Sequence, residues 1–158
     1  MSINFFSTLS GIIRVSPRGS VSSLRQRFVQ AVRTSTLPDR GSPTYHSLVR
    51  HRHAAVLGIC AIIDSYPYTV ERWMPQLITD VLAEHTYDPV RTSLLPRVRF
   101  VNMNVLQIPI ASTARKCGSN FRKTHQDTWH EDSKQFTDTQ LSALATLITG
   151  SSYCMSIF

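Results

Sequence analysis

Acidic side chains are scarce in this chain: ten Asp and Glu stand against 17 Lys and Arg among 158 residues, a net charge of +7. Charged residues make up only 17% and apolar ones 42%, which excludes a self-repelling disordered polyelectrolyte and fits one globular domain with a moderate core. Long apolar runs are missing too. The best, from Ala54 to Ile63, falls far short of the roughly 18 apolar residues a membrane-spanning helix needs, so no membrane partner is expected. Residues 1–15 contain an apolar patch but no basic lead and no small-residue cleavage site, so they read as core-facing sequence. Cysteine is limited to Cys60, Cys117 and Cys154, with no C-x-x-C spacing. Thiols so spread exclude a disulfide framework and a zinc knuckle, and imply reduced residues. Cys60 and Cys117 fall within apolar patterns and are expected to be buried.

Positive charge is concentrated. Residues 1–40 hold six Arg and one Asp, residues 91–107 hold three Arg and no acid, and the stretch from Asp127 to Asp138 is acidic. Three of the excess charges thus come from one short segment, which weakens the case for nucleic acid as a partner.

Five segments carry a period of about 3.6 residues, predicting an all-α fold. Val21, Leu24, Phe28, Ala31 and Val32 mark a helix over 20–34, followed by a Pro- and Gly-punctuated turn from Leu37 to Pro43. A longer helix, 44–65, has Tyr45, Leu48, Val49, Arg52, Val56, Ile59, Cys60 and Ile63 on one stripe, and Gly58 placed for close approach of a neighbour. Met74, Leu77, Ile78, Val81 and Leu82 define the next helix, with Pro75 in its first turn. Together, 44–85 reads as an antiparallel helical hairpin. A fourth helix, 110–125, turns Ile110, Ala114, Cys117 and Phe121 inward and Arg115, Lys116, Arg122 and Lys123 outward. The fifth, 138–149, opens on a capping box of Thr137 and Gln140 and a staple of Phe136 with Leu141; Leu141, Leu144, Ala145 and Ile148 form its expected buried stripe. Residues 90–107 break this rhythm and are β-prone and basic.

Little here points to catalysis. Ser, His and Asp are present without a nucleophile elbow, a Gly-rich phosphate loop or paired carboxylates. His46, His51, His53 and His85 lack the spacing of a metal set, so no metal or cofactor is expected. His125 and His130, with Asp127 and Glu131, read as a hydrogen-bonded helix exit, and Trp73 and Trp129 as packing anchors. The basic face of Arg115, Lys116, Arg122 and Lys123 is the candidate contact surface.

Three blocks carry a family likeness: His53-Ala-Ala-Val-Leu-Gly-Ile-Cys-Ala61, Trp73-Met-Pro-Gln-Leu77, and Thr113 through Trp129 with its Ser119-Asn-Phe and Thr124-His-Gln-Asp-Thr-Trp129 run. In that order they resemble the carboxyl end of the large HEAT-repeat proteasome activators (the subunit 4 and Blm-type family). The resemblance implies HEAT-like antiparallel helical hairpins at the end of an α-solenoid, spanning residues 1–158, with 90–107 as an irregular insert and 151–158 as a flexible tail. It further implies a non-enzymatic activator whose partner is the α-ring of the proteasome core particle, in nucleus and cytoplasm. Degradation independent of ATP and ubiquitin, of acetylated histones among other substrates and in DNA repair, is implied likewise.

Family members end in a hydrophobic–Tyr–any tail that docks on the core particle. Here Tyr153, Cys154 and Met155 fall on those positions, and Ser156-Ile-Phe158 extends beyond them. A thiol replaces a phenol and the terminal carboxylate is displaced, so weakened gate opening is expected. Two other readings stay open: a basic helical module for nucleic acid or histones, and a truncated piece without independent function.

Overall fold

A computed structural model describes residues 2–87, 91–93 and 107–149. The chain runs through α1 (Ser2–Val15), α2 (Arg18–Thr34), α3 (Tyr45–Asp64) and α4 (Met74–Gln76), which continues as a π-turn (Leu77–Leu82) and a 3-10 turn (Ala83–Tyr87). After β1 (Arg91–Ser93) and β2 (Gln107–Pro109) come α5 (Ile110–Thr124), α6 (Trp129–Asp132), a 3-10 turn (Ser133–Gln135) and α7 (Asp138–Thr149). The expected all-α architecture is what the residues form. Among the described residues it is accompanied by the antiparallel ladder of β1 and β2, with Arg91 opposite Pro109 and Ser93 opposite Gln107, at the two ends of the β-prone stretch. Among the described residues no helix is long and apolar enough to cross a membrane.

The centre of the fold is α3. It packs most closely on α2, α5 and α1, and from Gly58 to Ile63 every residue is buried. The expected single stripe therefore widens into a fully enclosed six-residue stretch, as a helix flanked on three sides requires. Burying side chains such as Ile59, Ile62, Ile63, Met74, Ile78 and Leu82 contributes roughly 1.5–3 kcal/mol each. The 44–85 hairpin is accordingly modified: the segment from Met74 to Tyr87 lies closest to α5 and α7, and meets α3 through side chains of a shared core.

That segment is not a plain α-helix. Pro75 stands in its first turn, and the Thr79 hydroxyl donates to the Pro75 carbonyl at 2.9 Å, occupying the acceptor of the regular ladder. The Ala83 N–H reaches back five residues to the Ile78 carbonyl, the π pattern.

Two helices lie outside the five expected. Residues 2–15 form α1, which buries Ile13 against Ala61 and Ile62 of α3 while leaving Ile12 and Val15 exposed. Short α6 follows the helix exit. In α7 the buried positions are Leu144 and Leu147, with Leu141 and Ile148 half-buried; Ala145, expected inside, is exposed. Leu147 takes its place because α7 settles on Gly118 of α5, whose absent side chain makes room for it.

Candidate functional site

The Ser119–His130 block occupies the C-terminal half of α5 and its exit. The inward residues Ile110, Ala114, Cys117 and Phe121 are all buried, as their spacing predicts. Cys117 meets Cys60 of α3, and the thiol-to-thiol hydrogen bond with burial raises the Cys117 thiol well above its usual range. Both cysteines are free and buried, and the thiol form dominates at Cys117, as suits a small core residue.

At the exit of α5 the His125 N–H caps the Phe121 carbonyl at 3.1 Å, and the imidazole lies 4.6 Å from the Phe121 ring. His125 Nδ1 sits 3.0 Å from Asp132 Oδ2, and the Thr128 hydroxyl donates to the same oxygen. The His125 side chain is 1% exposed, so this pair links α5 to α6 inside the fold. The buried carboxylate partner is Asp132, where the residue pattern suggests Asp127 and Glu131. The pair fixes the orientation of the His125 ring against Asp132. His130 instead lies on the surface, 3.1 Å from Glu131, which also binds Lys134 at 2.9 Å. Lys134 first, then His130, holds the Glu131 carboxyl below its usual range.

Trp129 packs 5.9 Å from Phe136, and Phe136 lies 6.1 Å from Phe121. Trp73 likewise meets Tyr66 edge-on at 5.6 Å, under the Arg25 guanidinium at 4.7 Å. Both tryptophans are half-buried packing anchors.

The basic quartet shares one side of α5 but differs in exposure. Arg115 is half-buried and donates through Nη2 to the Thr86 carbonyl at 2.7 Å, closing the end of the 3-10 turn onto α5. Arg122 is half-buried and stacked 4.1 Å above Trp129. Lys116 and Lys123 alone point freely to solvent. Half of the expected contact charge is therefore tied into the structure. Tyr153, Cys154 and Met155 lie outside the described residues; α7, which precedes them, is held on α5 through Gly118 and Leu147. Among the described residues no three His, Cys, Asp or Glu side chains converge as a metal set would; His53 instead bonds Thr113 of α5 at 3.3 Å.

A family model described as "Proteasome activator complex subunit 4-like, C-terminal" matches residues 49–95 and 101–155. The matched part therefore runs through α3, the 74–87 segment and the whole His125–Asp132 region, and breaks within the β-prone stretch. The proteasome activator complex subunit 4 of Xenopus laevis is 43% identical over 102 residues, 65% of this chain and 4% of the relative. Subunit 4B of Danio rerio is 37% identical over 155 residues and the Homo sapiens subunit 4 is 34% identical over 153, each covering 92% of this chain. The chain spans about 7% of the length of these last two relatives.

Proposed function

The chain belongs to the proteasome activator complex subunit 4-like C-terminal family, and on that footing we propose that it is the helical module through which such an activator seats on the proteasome core particle. The observation that carries this is the match from 49 to 155, which follows the packed elements rather than one short motif. The module acts as a scaffold and regulator; hydrolysis belongs to the core particle. The α-ring is the surface it meets, and Tyr153-Cys-Met155 is the segment aligned with the docking tail. Nucleus and cytoplasm are the compartments this reading implies, and acetylated histones, met in DNA repair, are substrates it would help to deliver.

Support for the placement of the tail comes from the family match ending at Met155, ahead of Ser156-Ile-Phe158. A penultimate phenol and a terminal carboxylate supply ring packing and a charge-assisted hydrogen bond worth about 1.5–3 kcal/mol, tenfold or more in affinity. Cys154 lacks the phenol, and Ser156-Ile-Phe158 follow the aligned positions. The test compares the native chain with a variant carrying Cys154→Tyr and lacking residues 156–158. Co-sedimentation with purified core particle and hydrolysis of a fluorogenic peptide are the readouts. The restored tail should bind at least about tenfold tighter than the native one and stimulate hydrolysis. If neither form binds, the proposal is wrong.

A further inference from the structure

An open groove of about 420 Å³ runs along α2, with Leu24, Phe28 and Ala31 along its floor, Arg27 and Thr34 on its wall, and His51 of α3 at its far edge. We propose that this groove docks an acidic, amphipathic peptide segment of a partner protein. Its α2 wall runs from Leu24 to Thr34, which at 1.5 Å per residue is about 15 Å, or nearly three helical turns. That is the length over which a helix presents anchors at i, i+3, i+4 and i+7.

The charge fits an acidic occupant. Among the described residues no Asp or Glu lines the groove. Helix α2 carries Arg18, Arg25, Arg27 and Arg33 and no acid, and the single acid of α3 is Asp64 at its last position. Arg25 is occupied by Trp73 and Arg52 by Ser35, whereas Arg27 is exposed beside the apolar floor. The floor also distinguishes the occupant from nucleic acid, since phosphate-backbone binding uses cations and has no need of half-buried Leu and Phe. The floor is firm: Phe28 lies against the backbone of Gly58, where a Cβ would come within 2.5 Å of its ring.

The test uses the full chain and a fluorescent peptide of about four helical turns, with Glu on one face and Leu at helical spacing on the other. Saturable binding is expected that weakens as salt rises, at least about tenfold tighter than for the same residues scrambled out of period. Arg27→Glu should cost tenfold or more, and Gln30→Glu, at another exposed lining position, should weaken binding in the same direction. Each variant is checked for unchanged helix content by circular dichroism. The proposal is overturned if the scrambled peptide binds equally well, or if both folded variants bind as the native chain does. It is overturned equally if a DNA duplex at equal phosphate displaces the peptide and is itself indifferent to Leu24→Ser.

Discussion

At Gly58 a hydrogen stands where any side chain would meet the Phe28 ring at 2.5 Å. Gly58→Ala should therefore lower stability by about 1–3 kcal/mol despite alanine's better helix propensity, and Phe28→Leu should recover part of that loss. Urea titrations of the two single variants and the double one measure the coupling. Arg115 and Lys116 are neighbours with opposite fates. Arg115→Ala removes the bond to the Thr86 carbonyl and should cost about 1–2 kcal/mol, while Lys116→Ala on the exposed face should stay within about 0.5. The close approach at Gly58 was legible in the sequence, because a glycine inside an apolar helical stripe has few other uses. The role of Arg115 was not: a basic residue next to an apolar stripe looks solvated, and only the fold reveals an open carbonyl 29 positions earlier. Burial pushes the His53 imidazole below its usual pKa of 6.5. The unfolded chain then binds the extra proton first, so this histidine's contribution is intact above pH 6.5 and falls as pH drops toward the lowered folded value. Asp64, whose carboxyl burial raises, works in the opposite sense at lower pH. Thermal melts at pH 7.5 and about 5.5 should show a smaller loss for His53→Gln than for the native chain.

Among the elements, α7 shows what local rules can and cannot deliver. Its capping box forms as the Thr137/Gln140 spacing predicts: the Gln140 N–H reaches the Thr137 hydroxyl at 3.3 Å, and the Thr137 N–H reaches the Gln140 amide oxygen at 3.0 Å. Thr137→Ala should cost about 1 kcal/mol and lower Tm by about 3 °C, readable by differential scanning calorimetry. Phe136 and Leu141 both join the core that the staple would clasp. Which face of α7 goes inward was less legible. Leu141, Leu144 and Ile148 admit a neighbouring stripe through Leu147, and the choice between Ala145 and Leu147 depends on Gly118, in another helix. The 74–87 segment follows the same logic. Its apolar spacing marks a helix, but the competition of Thr79 for the Pro75 carbonyl, which goes with the π-turn, involves a single hydroxyl that periodicity does not register. Helix α1 was legible in principle: Phe5, Leu9, Ile12 and Ile13 recur at helical spacing, a signal that the apolar patch of residues 1–15 obscures.

For the whole molecule, the described core is built around one helix and leaves apolar surface at one end. Ile12, Val15 and Tyr68 are exposed, at 55%, 85% and 83%. A chain that spans about 7% of its relatives' length would have such surface covered by further helices in a protein of their size. The isolated chain should therefore self-associate, and Ile12→Glu with Val15→Glu should shift its sedimentation toward the monomer; a native chain already monomeric at high concentration would refute this. The seating of Leu147 over Gly118, where a Cβ would lie 2.7 Å from the leucine, clamps α7 onto α5 two positions before α7 ends. The two helices should therefore open as one unit, and Gly118→Val should raise amide hydrogen exchange in both of them together.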